Sequence, residues 1–421
     1  MSGILDELAW RGLIAQTTDR AALGAALAAG PITYYCGFDP TAPSLHIGNL
    51  VQVLTLRRLQ LAGNYPIGVV GGATGLIGDP KMTGERTLND PDVVAGWVER
   101  IRTQIAPLLD FDGPFAATMA NNLDWTRDMT AIGLLRDLGK HFRMSTMLAR
   151  ETVAARMASD QGLSYTEFSY QVLQAMDFME LRRRYGCTLQ TGGNDQWGNL
   201  VAGVELIRRT DGVAVHALTT PLITKADGTK FGKTESGTVW LDPTMTSPYA
   251  FYQFWLNTDD RDVEHYLGVF TFRTREEISA LAREVAEHPE RREAARTLAG
   301  DVTALVHGEP ACAAAVQASH ALFGRGELAG LDASTLGAAV AGLPSVTVDE
   351  VDPLVVDLFA GAGLERGKGA ARRTMAEGGL YVNNVKLSDP DARMGESDWL
   401  HGRYALLRRG RKTLAVAERR G

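Results

Sequence analysis

His46 and Gly48 stand two residues apart, where an apolar run ending at Phe38 gives way to Asp39-Pro40-Thr41 and then to a helical repeat of Leu50, Val53, Leu54 and Leu61. A strand, a tight turn and a helix in that order build a phosphate site. The first N–H groups of a helix have no intrahelical partner and carry the positive end of its dipole. With the helix starting near residues 44–46, His46 is expected to touch a phosphate and Gly48 to let it approach closely; a capping or packing role for His46 is the alternative. Far downstream, Lys230-Phe231-Gly232-Lys233-Thr234 holds two cations in a short loop.

Three further constellations need positioning. Tyr65 to Val70 reads as a strand, and Gly71-Gly72-Ala73-Thr74-Gly75-Leu76-Ile77-Gly78-Asp79 follows at once. That glycine density fits a loop whose backbone lies on a ligand, and equally a structural turn. Tyr165 to Tyr185 has helical spacing, with Tyr170, Gln174 and Asp177 on one face. A row of Tyr, Gln and Asp without Lys, Glu or Arg reads as a ligand-facing wall, against a solvent face. Finally, Leu189-Gln190 enters Thr191-Gly192-Gly193-Asn194-Asp195-Gln196-Trp197-Gly198-Asn199, and a helix over 200–209 follows.

Strands near 33–38, 66–70, 187–191 and 217–223, separated by helices, predict an α/β fold with a doubly wound parallel, Rossmann-like sheet whose ligand sits at the carboxyl ends of the strands. Residues 1–30 read as a helical lead-in. Residues 92–160, with a short strand over 116–119, fit an insertion. The chain is expected to divide into a catalytic domain (1–245), a helical domain (246–330), a linker (331–352) and a small C-terminal α+β module (353–421).

The 421 residues are 45% hydrophobic with a net charge of −7, an ordinary composition for a protein with a large core. No apolar stretch is long enough to span a bilayer and residues 1–30 lack the pattern of a secretory signal, so no membrane association and a cytoplasmic location are expected. Cys36, Cys187 and Cys312 are far apart, which favours reduced thiols over a disulfide framework or zinc cluster. Charge is uneven: residues 361–421 hold 13 Lys and Arg against 7 Asp and Glu, a net +6 behind a body of −13. A basic end on an acidic body fits a polyanion-binding module, or a solvated tail.

The segment from Tyr35 to Asn49 resembles the ATP-binding signature of the class I aminoacyl-tRNA synthetases, with Asn49 where a second histidine is usual. Lys230 to Thr234 resembles their second, lysine-rich signature. Residues 353–421, with Arg372 and Arg373 on a basic helix, resemble a small RNA-binding domain first described in a ribosomal protein. Taken together, the chain is similar over essentially its whole length to the bacterial tyrosyl-tRNA synthetases.

That resemblance implies L-tyrosine, ATP with Mg²⁺, and tRNA(Tyr) as partners, a homodimer formed through the 92–160 insertion, and no protein-bound structural metal. By resemblance Thr41, His46, Arg86, Lys230 and Lys233 act on the departing pyrophosphate. Tyr35 and Asp177 hold the phenol of tyrosine, and Asp79, Tyr170 and Gln174 its amino group. Cys36, Gly37, Asp39, Gly48, Asn49, Gly193, Asp195, Gln196 and Thr234 lie against ATP. The loop from Asp79 to Arg86 is one residue shorter than the family pattern and carries Met82 at a usual lysine position, leaving Lys81 and Arg86 as alternative assistants. Asn49 is expected to keep the histidine's function, because an amide N–H donates from nearly the same place. A different nucleotidyltransferase with a similar His-x-Gly turn would leave the RNA module unexplained. A noncatalytic RNA-binding relative would be expected to lose Lys230, Lys233 or Asp79, all of which are present.

Overall fold

The computed structural model describes residues 3–81, 84–160, 162–229, 231–234, 237–324 and 326–420, with the backbone alone at 233 and 234. Two compact units divide the chain, Met1–Asp242 with Asp259–Ala294, and Pro243–Thr258 with Ala295–Gly421.

The first unit is organised on six strands: β1 (Gln16–Thr17), β2 (Thr33–Phe38), β3 (Tyr65–Val70), β4 (Thr118–Asn121), β5 (Leu189–Gly193) and β6 (His216–Thr220). Their order is β1-β6-β5-β2-β3-β4. β2 to β6 are parallel, and β1 runs antiparallel to β6. The doubly wound sheet is therefore present, with an edge strand in the stretch read as purely helical; that stretch also holds helices α1 (Ile4–Trp10) and α2 (Arg20–Ala29). Pro66 to Val70 are all buried, as a parallel sheet covered on both faces requires. Helices α3 (Ile47–Leu61), α4 (Pro91–Ile105), α5 (Tyr165–Tyr185) and α6 (Trp197–Asp211) complete the frame. The start of α5 follows from Ser164, whose hydroxyl accepts from the Glu167 N–H, and its end from Gly186 at φ 67°.

The helical domain expected over 246–330 does not stay together. α7 (Asp260–Phe270) and α8 (Arg275–Glu287) belong to the first unit. The reason is a pair of buried guanidinium groups. Arg11 donates to the carbonyls of Gly268 (2.8 Å), Thr271 (3.2 Å) and Arg273 (2.7 Å), and Arg58 on α3 to those of Val269 (2.8 Å) and Thr271 (2.7 Å). The last carbonyls of a helix lack intrahelical donors and carry its negative end, so cations fasten α7 there. α7 in turn seats the lysine-rich loop: the Phe231 ring lies 4.9 Å from that of Tyr266 and 5.3 Å from that of Phe270.

β7 (Lys233–Thr234) and β8 (Gly237–Thr238) then form a small hairpin in that loop. In the second unit, residues 331–352 are not a linker, for they hold the helix Ala333–Val340 and strand β9 (Ser345–Val348). β9 joins β10 (Leu380–Val382), β11 (Val385–Lys386), β12 (Tyr404–Arg409) and β13 (Thr413–Arg419) in the order β11-β10-β12-β13-β9. This sheet is buried on both faces by its period-two pattern. Ala405, Leu407, Ala415 and Ala417 pack with Val356, Phe359, Ala371 and Met375 of the helices Val355–Gly361 and Lys368–Ala376. Leu406, Leu414 and Val416 pack with Ala318, Leu322, Leu336 and Val340. Among the described residues no helix is long and apolar enough to cross a membrane.

Two outcomes follow from this packing. Deleting residues 353–421 removes the cover of Leu322, Leu336 and Val340, so the truncated chain should bind a hydrophobic dye and melt earlier; an unchanged melting temperature would contradict the shared core. At the start of α3, the Asn49 Oδ1 accepts from the His46 N–H at 3.1 Å and the His46 Nδ1 from the Gly48 N–H at 3.0 Å, a reciprocal cap. Asn49→Ala should therefore lower stability by about 0.5–1.5 kcal/mol in denaturant unfolding.

Candidate active site

The strand ends place the chemistry-bearing side chains together. Asp39 follows β2, Asp79 ends the glycine loop after β3, Asn122 follows β4, and Tyr170, Gln174 and Asp177 face them from α5. The stripe on α5 is not a solvent face: Tyr170 and Asp177 are buried and Gln174 is half-buried. The Tyr170 hydroxyl donates to Asp39 Oδ2 at 2.7 Å, and Thr74 Oγ1 donates to Oδ1 at 2.7 Å. Glycines make this possible. A Cβ at Gly71 would lie 2.1 Å from Asp39 Oδ1, and one at Gly72 2.2 Å from Asn121 Oδ1. The glycine density after β3 thus clears space for side chains of the site.

Asp177 is gripped by two groups that the sequence reading missed. Trp125 Nε1 donates to Oδ1 at 2.8 Å and Asn122 Nδ2 to Oδ2 at 3.0 Å. Burial nevertheless pushes the Asp177 carboxyl up to about 7, with these two hydrogen bonds opposing and Asp39 and Glu180 adding to the rise. Tyr35, buried on β2, has a hydroxyl with no hydrogen-bond partner among the described residues. Burial raises its pKa well above the usual range and the nearby Asp177 charge raises it further. The buried Oε1 atoms of Gln174 and Gln190 are likewise unpartnered among the described residues. A buried polar atom left so costs free energy, which a bound ligand can recover.

Asp79 accepts from Gln196 Nε2 at 2.9 Å and from Asn199 Nδ2 at 3.2 Å. Burial raises its pKa while those donors, Arg150 and Arg86 lower it. Gln196 Nε2 also reaches the exposed Asp195 at 3.2 Å, and Asn199 Nδ2 braces Gln196 Oε1 at 2.8 Å. Asn122 follows β4 and Asn199 lies in the first turn of α6, and only the fold reveals that they reach Asp177 and Asp79.

The two signature segments, nearly two hundred residues apart, are joined through the backbone: the Ile47 N–H donates to the Val239 carbonyl at 3.1 Å and the Leu241 N–H to the Leu45 carbonyl at 2.8 Å. Gly232, at φ 82°, would place a Cβ 3.0 Å from Ile47 Cγ1. The lysine-rich loop is thus seated against the start of α3. Lys230 lies outside the described residues. At Gly48 a Cβ would stand 2.8 Å from the His46 ring, so this glycine clears room for the imidazole. With Nδ1 accepting from Gly48, the neutral ring carries its hydrogen on Nε2. Asn49 is committed through its oxygen to the cap. Thr41, Gly37 and Gly48 are exposed at this edge, and nothing lies within 4 Å of a Cβ built on Gly37. Cys36 is buried and its thiol pushed up to about 12 by burial, so it is an inert neutral group beside the site. Arg86 Nε donates to the Asp79 carbonyl at 2.8 Å, whereas Lys81 is exposed. In the second unit Arg372 pairs with Asp391 at 2.9 Å on the surface, and Arg373 is exposed.

Comparison with known proteins identifies a family. The family described as tRNA synthetases class I (W and Y) matches residues 27–324, and the tyrosine–tRNA ligase SYY-like C-terminal domain matches residues 336–417. The chain is 64% identical over 419 residues to the tyrosine–tRNA ligase of Streptomyces avermitilis, covering 99% of each chain. It is 56% identical over 428 residues to that of Mycobacterium bovis, covering 100% of each. Among solved structures, it is similar to a C-terminally truncated mitochondrial tyrosyl-tRNA synthetase of Aspergillus nidulans, with a TM-score of 0.69 and 31% identity over 77% of this chain and 95% of that one. The strand-end carboxylates, the capped His-x-Gly helix and these matches agree: the chain belongs to the class I tRNA synthetases of the W and Y family.

Proposed function

We propose that the chain activates L-tyrosine with ATP and passes the tyrosyl group from the adenylate to the 3′-terminal ribose of tRNA(Tyr). The observation that carries the choice of amino acid is the buried, unpartnered Tyr35 hydroxyl beside an Asp177 carboxylate whose oxygens are fixed by Trp125 and Asn122. A phenol hydroxyl both donates and accepts, so it completes this pair, donating to Asp177 and accepting from Tyr35. A phenyl ring would leave both groups unpaired.

The ends of the site have opposite charge. Asp39, Asp79 and Asp177 all act on Tyr170, and a cluster of buried carboxylates favours an ammonium group between them. Asp79, Tyr170 and Gln174 are read as its holders. The substrate carboxylate is ionised at neutral pH, so it attacks the α-phosphate without a general base. As the new carboxylate–phosphorus bond forms, the bond to the pyrophosphate oxygen breaks and charge collects on the leaving group. His46 through Nε2–H, Thr41, Arg86, Lys230 and Lys233 are read as the donors and cations that meet this charge. Cys36, Gly37, Asp39, Gly48, Asn49, Gly193, Asp195, Gln196 and Thr234 are read as the nucleotide-facing set, Asn49 through its amide N–H. ATP enters with Mg²⁺ as its counter-ion. Exposed Ile132, Leu135, Met144 and Leu148 support a homodimer through this stretch, and the basic terminal module supports tRNA binding.

Exchange of labelled pyrophosphate into ATP tests the reading with a panel of amino acids. Tyrosine alone should support it efficiently; equal exchange with phenylalanine would overturn the phenol assignment. The raised Asp177 pKa gives a pH signature. Below about 7 the carboxyl is largely protonated and loses its acceptor role, so tyrosine affinity should strengthen about tenfold from pH 6 to 8. Asp177→Asn should bind weakly and flatten that dependence in titration calorimetry, and a pH-independent wild-type affinity would count against it.

A further inference from the structure

Arg156 and Glu167 form an ion pair of 2.9 Å that is almost wholly excluded from solvent, with side chains 1% and 2% exposed, and the reaction as derived does not use it. Its remaining hydrogen bonds point one way. Arg156 Nη1 donates to the carbonyls of Lys81 at 2.8 Å and Gly84 at 2.7 Å, and Nε to that of Gly162 at 3.1 Å. Glu167 Oε1 accepts from the backbone N–H of Arg86 at 3.0 Å. Glu167 follows Ser164 at the spacing of a capping box, in which its carboxylate would turn back onto the helix start. Instead both of its oxygens are given to Arg156 and Arg86. The loop is drawn in further by its own bridge between Lys81 and Gly84 and by Arg86 Nε on the Asp79 carbonyl.

Burying two charges is costly unless every hydrogen-bonding group is used, so such a pair is a poor source of stability but a geometrically exacting support. We infer that Arg156 and Glu167 are a buried latch that fixes Lys81 and residues 84–86 against α5, and so act as positioning residues for adenylate formation. Neither residue is among those read as substrate contacts. The latch joins three backbone groups of the loop to the helix that carries Tyr170, Gln174 and Asp177, so the loop's cation and the amino-acid wall move as one body. The inference rests on the reading of Arg86 as a pyrophosphate contact.

The test uses the full chain with Arg156→Lys, which keeps the charge but not the guanidinium fork, and Glu167→Gln, which keeps the acceptor for Arg86 but puts an amide donor against Arg156. Two variants guard against one that fails to fold, which thermal unfolding reports. Backbone amide exchange of the peptide spanning residues 84–90 should accelerate, and single-turnover adenylate formation should slow by about tenfold or more, with the tyrosine dissociation constant within twofold of wild type. Adding Arg86→Ala to Arg156→Lys should slow the reaction no further than Arg86→Ala alone. Unchanged exchange in both folded variants would overturn the latch, and faster exchange at an undiminished rate would overturn its positioning role. If Arg86→Ala by itself forms adenylate at the wild-type rate, the reading of the loop fails and takes the catalytic part of the inference with it, while the exchange result still judges the latch.

Discussion

Three carboxylates meet at the carboxyl edge of one parallel sheet, and their burial, with repulsion among them as a smaller addition, is the constraint on which the site depends. Asp39 raises the pKa of Asp177, Asp79 raises that of Asp39, and all three act on Tyr170. Left bare, such groups would take up protons. Each is instead held by neutral donors: Tyr170 and Thr74 on Asp39, Gln196 and Asn199 on Asp79, Trp125 and Asn122 on Asp177. These neutral donors fix the carboxylates without cancelling their charge, and the cations that act on the cluster, Arg86 and Arg150, make no hydrogen bond to its carboxylate oxygens among the described residues.

The arrangement costs stability. An Asp with an ordinary pKa near 4 in the unfolded chain and about 7 in the fold destabilises the native state on the order of 4 kcal/mol once ionised in both. The sign is fixed by the direction of the shift. The penalty is absent below the unfolded pKa, grows as pH rises, and is complete above the folded pKa. A ligand group that donates a hydrogen bond to the carboxylate would offset it.

The parts of this architecture governed by local patterns were legible in the sequence. The span of α5 could be read from its apolar spacing, and β2 from its apolar run before Asp39-Pro40. What was hidden depends on partners distant in sequence. β1 is two residues long and exists because β6 offers it an edge. The stretch 331–352 is rich in Ala, Gly and Ser, which reads as a linker, yet Ser345 to Val348 becomes a strand because β13 lies beside it. α7 was assigned to a separate domain, because nothing in its own sequence tells that Arg11 and Arg58 will take its terminal carbonyls. The glycines were visible but their reason was not: Gly71 and Gly48 make way for Asp39 and His46 of this same chain.

Both signature segments are held by main-chain contacts, and this explains how they can be so far apart in sequence. Leu45 and Ile47 flank His46 and are paired to Leu241 and Val239, so the register between the helix start and the lysine-rich loop is set by backbone hydrogen bonds, independent of the side chains that would touch a nucleotide. The loop's other anchor is Phe231 against Tyr266 and Phe270 of α7, which is in turn fastened by Arg58 to α3. The circuit closes on the helix where it began. Because α3 begins at the His46 cap and carries Arg58 in its last turn, one rigid element sets both ends of the loop's support.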